Sequence, residues 1–262
     1  MASAATVLTS SPPAAILTGL VRSLADSAGV EYSVKASPSG VEVDRMLMSW
    51  AASGCECSAL TPVFQALDLP HQAQDEIAAS LPHSRFLHFG IEGGAASRVK
   101  FYCERSLTKV SQEDPLYTAW KWAPGIETSL SVDDYRPSHV ASLEAAEGLI
   151  EQAYADKASG IVAALFRFLR RAVVHEDLPL FLDVRSRASQ RASFDMRCYD
   201  FGMRVADAEE IVAAADRDFA CAGSLKFALE RNSGEVLGHM AGGIGSDGLP
   251  FITFYFGARA LV

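Results

Sequence analysis

Between residues 85 and 104 apolar and polar positions alternate with a period of two. Val99, Phe101 and Cys103 fall on one parity; Arg98, Lys100, Tyr102 and Glu104 fall on the other. Successive side chains of a strand point to opposite faces, so this run predicts a strand with one apolar face and one charged, phenolic face. Arg85 to Glu92, followed by Gly93-Gly94, supplies its hairpin partner. The same grammar returns in Asp195-Met196-Arg197-Cys198-Tyr199 and in Ile252-Thr253-Phe254-Tyr255-Phe256. A cation or hydroxyl two residues before a tyrosine thus recurs on three predicted strands.

The remaining elements follow from the same two periods. Ala14 to Ala28 carries Ile16, Leu17, Leu20, Val21 and Leu24 at helical spacing, and Gly29 ends it. A hairpin follows, from Val30 through the Pro38-Ser39-Gly40 turn to Trp50. Helical patterns occupy Thr61 to Leu81, interrupted at Pro70, before the 85–104 hairpin. Tyr117 to Trp122 and Ile126 to Val132 read as a further hairpin, with Asp133-Asp134-Tyr135-Arg136-Pro137 as a loop. Helices over 142–156 and 160–174 precede a hairpin over 178–201. Helices over 207–219 and 221–230 precede a closing hairpin over 236–255.

Helix, helix, strand, strand is therefore spelled twice in succession. Four or five hairpins suffice for a closed antiparallel barrel. With helices covering the apolar strand faces, the Lys100/Tyr102 face lies inside. The fold class predicted is α+β: an antiparallel β-barrel of ααββ repeats with helices outside, formed by residues 14–262 as one domain. Residues 1–13, rich in Ser, Ala and Thr, read as a disordered arm without the plan of a signal peptide.

Composition narrows the partners. Among 262 residues the net charge is −9, which argues against nucleic acid or an anionic membrane surface. No apolar run is long enough to span a bilayer. The five cysteines are odd in number and scattered, which suits reduced thiols and predicts a cytoplasmic protein. Cys55-Glu56-Cys57 is too tight a pair for a usual zinc half-site. No phosphate-binding glycine loop leads into a helix, since Gly242-Gly243-Ile244-Gly245 lies in a hairpin.

With these residues in view, the chain resembles the aromatic prenyltransferases of the ABBA, or PT-barrel, fold. The resemblance rests on Lys100-Phe101-Tyr102, Arg197-Cys198-Tyr199, Thr253-Phe254-Tyr255, the 89–94 and 243–251 turns, and Trp120-Lys121-Trp122, and it spans roughly residues 80 to 257. Two departures stand out. Tyr117 replaces a glutamate of the indole-prenylating branch, and only about a dozen residues separate the second and third hairpins, too few for two helices.

The resemblance implies transfer of a short isoprenoid from an allylic diphosphate to an indole or phenol, in a small molecule or a peptide side chain. It implies substrate contacts from Arg98, Lys100, Tyr102, Arg185, Arg197, Tyr199, Thr253, Tyr255 and Trp120. Cations would hold the departing diphosphate, and tyrosines would face the allyl cation. Candidate bases by alternation are Glu92, Asp183 and Asp195, with His88, Glu42 and Asp44 behind them. No cofactor is required on this reading, and Mg2+ is at most an optional screen, because Asp133-Asp134 lacks the third aspartate of an Asp-rich motif. Two other readings stay open: a non-catalytic barrel that binds an aromatic ligand or partner protein, and an unrelated α+β protein whose polar strand faces meet solvent.

Overall fold

In the computed structural model, which describes Gly19 and residues 27–93, 98–111, 114–173 and 177–261, the alternating runs are strands and the 3.6-period runs are helices. The strands are β1 (Ala28–Ser37), β2 (Gly40–Ala51), β3 (Phe86–Glu92), β4 (Arg98–Glu104), β5 (Tyr117–Ala123), β6 (Ile126–Ser138), β7 (Leu180–Ser186), β8 (Ala192–Arg197), β9 (Leu237–Ile244) and β10 (Pro250–Leu261). The helices are α1 (Cys57–Ala66), α2 (His71–Ser80), α3 (Leu143–Tyr154), α4 (Ser159–Ala172), α5 (Glu209–Asp218) and α6 (Ser224–Glu230). The ten strands form a closed barrel in the order β1-β10-β9-β8-β7-β6-β5-β4-β3-β2. Contacts gather the chain into two compact units, one built around Asp44–Asp134 and the other around Tyr135–Ala258.

In each unit the apolar parity of the strands is packed under helices. Around Asp44–Asp134, Phe64 of α1 meets Phe89 and Phe101 edge-on with ring centroids 6.2 and 5.2 Å apart, and Trp50 stacks on Phe89 at 5.8 Å. Around Tyr135–Ala258, Phe181, Phe194, Met196, Met240, Ile252 and Phe254 form one buried cluster with Ile150, Leu165, Phe168, Leu169, Ile211 and Leu225. Each such side chain contributes about 1.5–3 kcal/mol by leaving water. Polar side chains serve the starts of three helices, α3, α4 and α6. Ser142 accepts from Ala145 N at 3.2 Å, Asp218 from Ile161 N at 3.0 Å, and Asp216 from Leu225 N and Lys226 N, so donors that lack an intrahelical partner are satisfied.

Several expectations need correction. Asp133 to Pro137 is not a loop but lies inside β6. Its aspartates are tolerated in a strand because β5 satisfies them: Lys121 bonds Asp133, and Thr118 donates to Asp134 at 3.2 Å. Strand β8 stops at Arg197, where Cys198 N donates to Gly238 O, and Tyr199 begins a 3-10 turn. Helix α1 starts at Cys57, ahead of Thr61. The helix expected over Ala14–Ala28 and the arm over 1–13 fall almost wholly outside the described residues, and β1 already begins at Ala28. The β4–β5 connection, by contrast, agrees with its short length: among its described residues it holds one 3-10 turn, Leu107–Lys109, and no α-helix. No helix among the described residues is long and apolar enough to cross a membrane.

Glycines set how closely α3 seats on the sheet. A Cβ on Gly242 would stand 2.4 Å from the Tyr154 hydroxyl, which donates to Phe251 O at 3.0 Å. Gly243 has φ +129°, and a Cβ there would meet Ala192 O at 2.5 Å and Ser193 Cα at 2.8 Å. Backbone strain alone in such a region costs about 1–3 kcal/mol. Gly243→Ala is therefore expected to lower the melting temperature by about 5 °C or more. Gly234→Ala, where a Cβ meets nothing within 4 Å, is the control and should leave it within about 1 °C. Equal melting temperatures for the two variants would contradict the close seating.

Candidate active site

The polar parity of the strands carries buried charge. Pairing places Arg45 of β2 opposite Glu92 of β3, and Lys100 of β4 opposite Lys121 of β5. Arg45 Nη2 lies 2.6 Å from Glu92 Oε1, Lys100 bonds the same oxygen, and Lys121 bonds Asp133 of β6. Arg45, Lys100, Lys121 and Asp133 are all buried, at 4, 9, 6 and 2% exposure. Charges taken out of water to this degree persist only when paired. Three cations and two carboxylates thus meet here, Glu31 of β1 is buried as well, and Arg45, Lys121 and Asp133 have further interactions.

Their electrostatics follow from burial and from these pairings. Burial pushes the Glu92 carboxyl up, but Arg45 and Lys100 together outweigh it and hold it well below the usual carboxylate range. Burial is also the largest effect on Lys100; it outweighs the attraction of Glu92 and, with Lys121 and Arg45 adding repulsion, drives the ammonium well below the ordinary lysine range. Glu92 is thereby suited to holding cations rather than to taking a proton. An anion brought among Arg45, Lys100 and Lys121 would relieve their repulsion.

Along the same face runs a chain of three side chains. Ser49 of β2 pairs with His88 of β3, and its Oγ lies 2.7 Å from His88 Nδ1. His88 Nε2 lies 2.9 Å from Glu104 Oε2 of β4. The carboxylate accepts only, so Nε2 carries the hydrogen and Nδ1 accepts from the serine hydroxyl. Tyr102 and Tyr117 flank the imidazole with centroids 6.1 and 5.8 Å away.

The second unit has a group of its own. His239 of β9 bonds Asp195 of β8 through Nδ1 at 2.8 Å and stacks on Tyr255 of β10 at 3.8 Å, 11° from parallel. Tyr199 lies 6.0 Å from the same ring, with the Arg197 guanidinium 5.6 Å over the Tyr199 ring. Thr253 is buried on the Tyr255 parity.

Each sequence-predicted residue thus has a place. Glu92, Lys100 and Tyr102 lie on the polar face of the first unit; Arg98 is there by register but exposed. Asp195, Arg197, Tyr199, Thr253 and Tyr255 belong to the second unit, with Tyr199 brought in by the turn rather than the strand. Three expectations are overturned. Asp183 and Arg185 share parity with buried Phe181, so they stand on the helix-packed face, half exposed and paired with each other at 2.9 Å. Trp120 pairs with Phe101 on the outer face, and its Nε1 donates to Glu76 of α2 at 3.2 Å. Glu42 bonds Lys35 at 2.9 Å, and Asp44 is exposed.

Arg45, Ser49, Glu104, Lys121 and Asp133 were missed as site residues. The alternation in Trp120-Lys121-Trp122 held the signal for Lys121: two outward tryptophans fix an inward lysine. Asp133 was hidden by its loop-like neighbours. Arg45 carried the opposite parity from Glu42 and Asp44, on which the first hairpin was read. Among the described residues no three His, Cys, Asp or Glu side chains gather as metal ligands, and none of the five cysteines is in a disulfide. Burial pushes the Cys103 thiol up to about 12, as expected for an inert core cysteine.

No protein-family model and no curated protein matches the sequence. Solved structures do match the fold. The 5-dimethylallyltryptophan synthase from Streptomyces coelicolor, solved in complex with DMASPP and Trp, aligns at TM-score 0.57 and 16% identity over 87% of this chain and 78% of that one. PriB, solved with product diphosphate, aligns at TM-score 0.57 and 14% identity over 87 and 79%. AnaPT from Neosartorya fischeri aligns at TM-score 0.50 and 11% identity over 87 and 77%. At such identities the likeness speaks for the fold, and together with the closed ten-stranded barrel and its helices it makes this chain an ABBA-fold, or PT-barrel, protein.

Proposed function

We propose that the chain is an aromatic prenyltransferase that moves a short allyl group from an allylic diphosphate to the ring of an indole or a phenol. The observation that carries this reading is the buried Arg45/Lys100/Lys121 group on the polar face of the strands. The neighbours with a bound diphosphate or tryptophan support it.

The chemistry follows from the geometry. Heterolysis of the allylic C–O bond leaves the electron pair on diphosphate, whose charge Arg45, Lys100 and Lys121 are positioned to receive in a water-poor setting. The allyl cation is attacked by the π electrons of the acceptor ring, with the Tyr102 ring supplying cation–π attraction of about 1–2 kcal/mol when desolvated. The ring then loses a proton. His88 is the base: Ser49 Oγ receives the proton as its own passes to His88 Nδ1, and Glu104 stabilises the imidazolium. The products are prenylated ring, diphosphate and a proton carried off by the relay. Side-chain cations do the work of screening, so turnover should persist in EDTA. The protein is read as cytoplasmic.

The test uses purified protein with dimethylallyl diphosphate and a panel of indoles, tyrosine derivatives and phenols. A product heavier by the prenyl group is expected, and Lys100→Met should lower kcat/KM about 10²–10³-fold. Binding of a thio-analogue of the donor without any modified acceptor would instead favour a non-catalytic binding barrel.

His88→Gln should lower kcat about 10²-fold or more while leaving analogue affinity nearly unchanged. It should also introduce a primary isotope effect with ring-deuterated acceptor, because proton loss becomes slow. An unchanged rate without that effect would remove His88 from the reaction.

A proton count follows from the Lys100 direction. Diphosphate arriving beside Lys100 raises its depressed pKa back toward the ordinary range, so binding takes up a proton at pH values between the two. Calorimetric titration with inorganic diphosphate over a series of pH values below the ordinary lysine range, in buffers of different ionisation enthalpy, should show net uptake in the wild type and less in Lys100→Met. Equal enthalpies across buffers would contradict it.

A further inference from the structure

A second anion-binding feature lies apart from the inner face. Where β3 begins and β4 ends, two loops stand side by side, pinned by Arg85 N to Glu104 O at 2.6 Å and Arg105 N to Leu116 O at 2.8 Å. Between them is an open cleft of about 670 Å³ lined by His83, Ser84, Arg85, Arg105, Ser106 and Lys109. Arg85 is seven residues along β3 from Glu92, so the cleft stands roughly 20 Å from the Arg45/Glu92 end of that strand.

The charge here is of one sign. Among the described residues no carboxylate lines the cleft, in a chain of net charge −9. On the helices, Arg167 and Arg171 reach Glu210 at 2.5 and 2.6 Å, and Arg170 reaches Glu147 at 2.8 Å. At the cleft, Arg105 has Asp114 only at 3.8 Å, while Arg85 has a ring contact with Phe86 at 5.3 Å and no carboxylate. Among the described residues the Lys109 and His83 side chains have no hydrogen bond or ion pair. Two guanidinium groups, one ammonium, one imidazole and two hydroxyls are the donor set of a phosphate site.

The cleft continues into another of about 770 Å³ that shares Pro82, Ser84 and Arg85. Its wall is largely small and apolar, with Ala51, Ala52, Ala78 and Leu81, and carries the carboxylate of Glu56, which Ser58 engages at 3.2 Å. We infer that the two together form a peripheral site for an organic phosphate, a phosphate or diphosphate ester with a short apolar body. Arg85, Arg105 and Lys109 take the anionic end, and the alanine-lined wall takes the body. The ester is either the allylic donor itself or another phosphorylated metabolite; the chemistry of recognition is shared.

Calorimetric titration of the full chain tests this. Lys100→Met disables the inner cation group and serves as the background. In it, inorganic diphosphate should still bind at one site, with an affinity that falls as salt rises. Adding Arg85→Ala and Lys109→Ala, both exposed in the structure, should weaken that binding at least tenfold, and Arg85→Lys with Lys109 intact should retain most of it. Dimethylallyl thiolodiphosphate binding more tightly than inorganic diphosphate assigns the body to an allyl group; equal affinities assign the site to phosphorylated metabolites at large. The inference is overturned if Lys100→Met alone removes all binding, or if the triple variant binds as well as its parent. A wild type that prenylates nothing while these results hold would overturn the enzymatic reading and leave the peripheral site standing.

Discussion

The constraint on which the structure depends is the burial of like charges on the polar face of the strands. Arg45, Lys100 and Lys121 stand out of water on neighbouring strands, and an isolated buried cation would cost several kcal/mol. Glu92 and Asp133 make this arrangement possible. Glu92 bridges Arg45 and Lys100, so one carboxylate answers two cations. The group is thereby held together by its own pairings. The alternation along each strand is then more than a folding signal, because a shift of register by one residue would exchange the cations for Trp50, Phe89 and Phe101.

Much of this was legible in the sequence. Period-two alternation located nearly every strand, and helical spacing located α3 to α6, since both patterns arise from burying one face. The inward direction of Lys100 and Tyr102 followed from Val99, Phe101 and Cys103 alone. Legibility failed where one residue had to be judged against its partners in space. Asp133-Asp134 looks like a loop until Lys121 and Thr118 are seen across the ladder. Asp183 and Arg185 look inward until Phe181, on their own parity, is found under helices. Ser49, His88 and Glu104 lie on three strands, and no spacing along the chain joins them.

The second unit shows how aromatic and charged groups share a face. His239 lies flat on Tyr255 while donating to Asp195, so its ring is fixed by stacking and its tautomer by the carboxylate. Tyr199 approaches the same ring from the turn that ends β8, and the guanidinium of Arg197, the last residue of that strand, lies over the Tyr199 ring. A turn one residue longer would keep the strand pairing and lose this grouping.

The short β4–β5 connection has a consequence for how the outer layer is shared. Lacking helices of its own, the β5–β6 hairpin leans on those that precede β3: Trp122 donates to Leu67 O just beyond α1, and Trp120 to Glu76 of α2. That helix pair therefore holds β5 as well as the hairpin that follows it, while α3 in turn lies across β8 and β9 and reaches β10 through Tyr154. The barrel is in this respect not a chain of interchangeable modules. A repeat transplanted from the later part of the chain would lack the Leu67 and Glu76 acceptors on which the two tryptophans of β5 rest.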